Sequence, residues 1–220
     1  MKPDTTDGLH LEAISIALNG RMLLSLSAHV RPGEILTVMG PSGSGKSALL
    51  AFIGGFLDPA FTARGHIVIN GDNLTGVPAE KRRCGMLFQD PLLFPHLSVG
   101  GNLLFGLTPS IVKRDQRRRM VERALADVEL EGFFDRDPAT LSGGQKARVA
   151  LQRVMLSAPR LLLLDEPFSK LDSDLRQQTR TLIFSRAKAA GLPILLVSHD
   201  QADADAAGGP VVVVGEDIDR

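Results

Sequence analysis

The stretch Ile35-Leu36-Thr37-Val38-Met39-Gly40-Pro41-Ser42-Gly43-Ser44-Gly45-Lys46-Ser47-Ala48 decides the fold. Its first five residues form a short apolar run, the signature of a buried strand. Gly40 to Ser47 then match the phosphate-binding pattern of two glycines, four variable positions apart, followed by Lys and Ser. Ser47–Phe56 reads as a helix. Glycines allow the backbone to curl so that successive N–H groups converge on phosphate oxygens, and the following helix N-terminus adds partial positive charge. Lys46 is long enough to reach the terminal phosphates, and the Ser47 hydroxyl is of the type that ligates Mg²⁺. A glycine-rich turn with a chance lysine is the competing reading, and strand and helix on either side weigh against it.

A strand–loop–helix of this kind needs an acidic partner. Leu161-Leu162-Leu163-Leu164-Asp165-Glu166 supplies one: a buried strand ends on two carboxylates at the edge where open α/β sheets bind ligands. Asp165 is placed to hold the metal and Glu166 to polarise an attacking water. Taken alone, a solvated acidic pair after an apolar strand is equally ordinary. A third motif is Leu141-Ser142-Gly143-Gly144-Gln145, ahead of the helix Lys146–Leu156. Ser142 and Gln145 have capping-box spacing. The two glycines also strip side chains from a helix N-terminus, which makes a second anion site. Both readings stand together.

Other apolar segments predict strands at Leu9–Ala17, Leu23–Val30, His66–Ile69, Gly85–Phe88, Ile194–Val197 and Val211–Val214. Several are continuous Val/Ile/Leu runs, as parallel strands covered on both faces require. Ile111–Val128 and Asp172–Ala190 read as further helices, and 90–157 contains no convincing strand. The expectation is therefore one α/β domain over 1–220, with a core of about 1–89 and 158–220 and a helical insertion at about 90–157.

Composition excludes several classes. Lys plus Arg and Asp plus Glu both number 25, giving zero formal net charge over 220 residues. No global field therefore holds nucleic acid. The basic run at 112–123 reads as a solvated helix face. One cysteine, Cys84, excludes an internal disulfide or a cysteine-based zinc or iron–sulfur site. Met1–Gly8 lacks the apolar core of a signal peptide, and no apolar run approaches the ~20 residues that span a bilayer. A cytoplasmic location follows as an expectation, with any membrane association made through a partner.

In order and spacing, GPSGSGKS, LSGGQ and LLLLDEP resemble the nucleotide-binding subunit of an ATP-binding cassette (ABC) transporter, over roughly Leu9 to Val214. The resemblance implies a P-loop NTPase core with an antiparallel β subdomain and an inserted helical subdomain. It implies ATP and Mg²⁺ as ligands, with Gly40, Pro41, Ser42, Gly43, Ser44, Gly45, Lys46, Ser47 and Ala48 on the phosphates. Ser142, Gly143, Gly144 and Gln145 would contact the nucleotide of a second copy in a head-to-tail homodimer. Gln89 matches the Q-loop, which touches Mg²⁺ and the attacking water. Ser47, Gln89 and Asp165 are the implied metal ligands, and Glu166, His199 and Gln89 the catalytic set. Ser169–Asp172 resembles the D-loop. Phe94–Val99 is similar to importer-type cassettes, whose partners are integral-membrane permeases and a substrate-binding protein, with the cassette on the cytoplasmic face of the membrane.

Three departures stand out. The family's adenine-stacking aromatic aligns near Ala17 or Leu18, and the nearby Arg21 offers only a guanidinium face. Ala48 replaces a threonine, and Lys170 replaces a small D-loop residue. These predict weakened nucleotide binding. Rival readings keep the cassette but change its work: a soluble ATPase of iron–sulfur assembly or DNA maintenance, or a nucleotide switch. A DNA-maintenance cassette needs a long coiled coil, for which 220 residues leave no room.

Overall fold

The computed structural model describes residues 7–107 and 113–215. The expected helix start at 111–112 and the chain end at 216–220 lie outside those residues. Contacts divide the chain into two compact units.

The first unit comprises Met1–Met86, Arg160–Glu166 and Arg186–Arg220. It opens with two ten-residue strands, β1 (Leu9–Leu18) and β2 (Arg21–Val30). They join β4 (Phe61–Ile69) and the two-residue β5 (Asp72–Asn73) in an antiparallel sheet ordered β2-β1-β4-β5. The register of β1 slips between Leu11 and Ile14, where Ala13 adopts a φ of 48°. Gly65 lies against this bulge: a Cβ there would come 2.6 Å from the carbonyl oxygens of Glu12 and Ala13. β4 starts five residues before the expected His66 because Phe61–Gly65 alternates half-buried and exposed positions. Its apolar signal is too dilute to read as a strand.

A second sheet runs β6-β7-β8-β3-β9, with β3 (Ile35–Met39), β6 (Cys84–Leu87), β7 (Leu161–Asp165), β8 (Ile194–Val197) and β9 (Val211–Val213). β3 pairs in parallel with β8 and β9, and β7 with β8. Ile35–Val38, Leu161–Leu164 and all of β8 are buried, as continuous Val/Ile/Leu runs predicted. The helix α1 (Lys46–Gly54) buries Leu49, Leu50 and Ile53 in the same core as Leu36, Val38, Leu163 and Val197. Short helices α2 (Ala79–Arg82) and α7 (Gln201–Ala207) complete this unit.

The second unit comprises Leu87–Pro159 and Pro167–Ser185. Residues 167–185 thus group with the helical unit. It holds α3 (Val99–Gly106), α4 (Arg114–Ala126) and α5 (Gly143–Leu156), together with the greater part of α6 (Ser173–Ala189). Val99, Leu103, Val121, Leu125, Val128 and Val149 form its core. The sequence did not suggest α3, whose run Val-Gly-Gly-Asn-Leu-Leu-Phe-Gly has low intrinsic helix propensity. Packing demands those glycines: a Cβ on Gly100 would meet the Phe134 ring, and one on Gly106 the Arg153 carbonyl. Asn102, fully buried, ties α3 to its entry loop by bonding the backbone of Phe94, Leu97 and Ser98.

Candidate nucleotide site

β3 delivers Gly40 at its end, and the loop to α1 is shaped by glycine. Gly40, Gly43 and Gly45 have φ values of 153°, 82° and 88°, a region costly for other residues. A Cβ on Gly40 would also run into the Val214 carbonyl. α1 starts without any side-chain cap and without an acidic residue in its first turn, so its N-terminal N–H groups remain available to an anion.

Lys46 folds over this loop, its Nζ donating to Gly40 O at 2.8 Å and Pro41 O at 2.7 Å. It is buried, an unusual place for an ammonium. Ser44 Oγ is buried beside it with no hydrogen-bond partner. A buried cation, an orphaned hydroxyl and an uncapped helix start fit a phosphate group. Pro41, Ser42 and Gly43 form the exposed rim, with Ala48 half-buried behind them.

The Ser47 hydroxyl donates to Asp165 Oδ1 at 3.1 Å, joining residues 118 positions apart. Burial holds the Asp165 carboxyl above the usual carboxylate range. The Ser47 hydrogen bond opposes that shift, Glu166 adds to it, and Lys46 opposes it. Glu166 follows with a left-handed φ of 47°, fixed by its N–H donating to Val197 O at 3.0 Å. Its Oε1 lies 3.2 Å from His199 Nδ1. The exposed His199 follows β8 and Ser198, whose buried hydroxyl bonds Asp203 at 2.8 Å. The first unit therefore gathers Gly40–Ala48, Asp165, Glu166 and His199.

Gln89 belongs to the second unit, exposed just after β6. The same unit contains Ser142–Gln145. Ser142 Oγ accepts from Gln145 N at 3.3 Å and Gln145 Oε1 accepts from Ser142 N at 3.0 Å, a complete capping box. α5 accordingly starts at Gly143, three residues before the expected Lys146. The glycines also answer to packing, which the motif alone did not reveal. A Cβ on Gly144 would lie 2.5 Å from Leu175 Cδ1, and one on Gly143 would lie 3.1 Å from Leu171 Cδ2.

Comparison with known proteins identifies the family. The ABC transporter family matches residues 23–169. The chain is 45% identical over 199 residues to the ABC transporter ATP-binding protein YnjD of Escherichia coli K12, covering 90% of this chain and 91% of that one. It is 39% identical over 209 residues to the spermidine/putrescine import ATP-binding protein PotA of Mesoplasma florum, covering 94% of this chain but 59% of PotA. For the Lawsonia intracellularis PotA the figures are 42% identity over 192 residues, 87% and 51%. The chain thus spans little more than half the length of these PotA relatives. Among solved structures, the dimeric, post-hydrolysis ATP-binding cassette MJ0796 bound to ADP and Pi superposes with a TM-score of 0.76 at 27% identity, covering 94% of each chain.

The chain belongs to the ABC transporter family. It is an ATP-binding, ATP-hydrolysing cassette of the class that powers membrane transport. Among the described residues, no helix is long and apolar enough to cross a membrane.

Proposed function

We propose that this chain hydrolyses ATP to drive a small-solute importer, as a peripheral subunit on the cytoplasmic face of the membrane, docked on integral-membrane permeases that receive solute from a binding protein. The names of the PotA relatives support import. The Ser47–Asp165 hydrogen bond carries the assignment, because it brings the phosphate loop and the acidic strand end into one site.

In this reading the backbone N–H groups of the Gly40–Ala48 loop, Pro41 excepted, and the Lys46 ammonium bind the β- and γ-phosphates. Ser47 and Asp165 are the residues of the first unit that would hold Mg²⁺, which when bound neutralises phosphate charge; Gln89, the third ligand the resemblance implies, belongs to the second unit. Glu166 accepts a proton from water as its oxygen attacks the γ-phosphorus, and the bond to the ADP oxygen breaks. His199, through Nδ1, holds the Glu166 carboxylate in position, and its Nε2 is the ring atom left for the γ-phosphate. The glycine-lined start of α5, with Ser142, Gly143, Gly144 and Gln145, completes the site of a second copy, so turnover needs a homodimer.

Replacing Glu166 with Gln keeps shape and binding but removes the base. Phosphate release should fall about 10²- to 10⁴-fold, and ATP with Mg²⁺ should trap a dimer on size-exclusion chromatography. Near-normal phosphate release would overturn the assignment.

A further inference from the structure

The position where the family keeps its stacking aromatic holds Ala17 and Leu18, and β1 ends there. Across the sheet, Leu18 pairs directly with Phe61, the first residue of β4, as Ala17 does with Thr62. Directly opposed residues of antiparallel strands present their side chains on the same face. A cavity of about 330 Å³ opens beside the phosphate loop, of a size that suits a small ligand. Its walls include Ser42, Lys46 and Ser47 at the phosphate end and Leu18, Leu23 and Phe61 at the apolar end.

We infer that Phe61 supplies the aromatic face on which the nucleotide base stacks, doing from β4 what an aromatic on β1 does elsewhere. This rests on the phosphate site proposed above.

Three observations support it. Phe61 is the one aromatic among the residues lining this cavity. It is half-buried, packed on one side against the first unit's core; a ring held this way forfeits little rotamer freedom on binding. The strand start is also fixed, because Phe61 N donates to Asp58 O at 3.0 Å and Ala60 N to Asp58 Oδ1 at 2.8 Å. Arg21, the other candidate, pairs with Leu18 from the β2 side, is exposed, and is absent from the cavity lining.

A base-stacking role predicts a loss that depends on the base. Leucine at position 61 preserves apolar bulk without a π-face. Phe61→Leu should weaken ATP roughly five- to 150-fold, the range of base–aromatic stacking, and leave tripolyphosphate binding unchanged. Competition against a fluorescent nucleotide analogue measures both. The chain has no Trp and no Tyr, so Phe61→Trp introduces a lone reporter. It should bind ATP at least as well as the native chain, with emission that changes on adding ATP but not on adding tripolyphosphate. Unchanged ATP affinity in Phe61→Leu, or equal losses for both ligands, would overturn the assignment, as would a Trp signal indifferent to ATP. Lys46→Ala should weaken both ligands together; if both still bind, it is the phosphate site that fails.

Discussion

Lys170 Nζ lies 2.6 Å from Asp90 Oδ1, tying the residue after Gln89 to the loop that precedes α6. Both side chains are more than half exposed, at 53% and 61%. Such a surface pair contributes at most about 1 kcal/mol. Lysine at position 170 departs from the small residue expected in this loop, and here it has an acidic partner.

Lys170→Ala and Asp90→Asn should therefore each leave the melting temperature within about 4 °C of the native value. Each should reduce ATP turnover about fivefold if the bond positions the Gln89 segment, and the double variant should lose no more than either alone. A double-mutant cycle on phosphate release decides it: additive losses would mean the bond couples nothing.

Gly144 meets a tighter limit. Its missing Cβ would lie 2.5 Å from Leu175 Cδ1 and 2.7 Å from Leu175 Cγ. Gly144→Ala should cost about 1–3 kcal/mol by overpacking, and adding Leu175→Ala should recover part of it. Thermal melts of the two variants measure this, and an unshifted melt for Gly144→Ala would show that Leu175 swings aside freely.

Cys84 illustrates a burial effect. Desolvation outweighs the nearby Arg82 and Arg160 and pushes the thiol from an ordinary 9.0 up to about 11. At pH 8 only about one molecule in 10³ carries the thiolate. Iodoacetamide should label the folded chain slowly at pH 8 and the urea-unfolded chain much faster, as mass spectrometry would show. Because folding favours the protonated thiol, this group's contribution to stability is present below pH 9 and is lost as pH rises towards 11. Rapid labelling at pH 8 would place the thiol in contact with solvent.

Strand–loop–helix at Ile35–Phe56 was legible because a buried strand, loop glycines and a following helix each leave a local signal. β7 and β8 were legible for the same reason, as unbroken apolar runs. α3 was not, since Gly100 and Gly106 are there for close packing and argue against a helix when read alone. Phe61 was hidden by distance: only the pairing of β4 with β1 sets it opposite Leu18, and register across a sheet leaves no mark in local composition. Lys46 and Ser47 stood out as candidates from their motif, but the two carbonyls that Lys46 engages and the burial acting on Asp165 required three dimensions.

Glu166 stands in a backbone conformation that glycine would occupy at lower cost, with a φ of 47°. A non-glycine residue held there gives up on the order of 1 kcal/mol or more of stability. Under the proposed role of Glu166 as the base, the carboxylate is maintained against the preference of its own peptide, and thermal robustness and turnover pull in opposite directions at this one residue. Under that same proposal, the most heat-resistant descendants of this chain would be drawn towards glycine at position 166, and so towards cassettes that hold ATP and leave it whole.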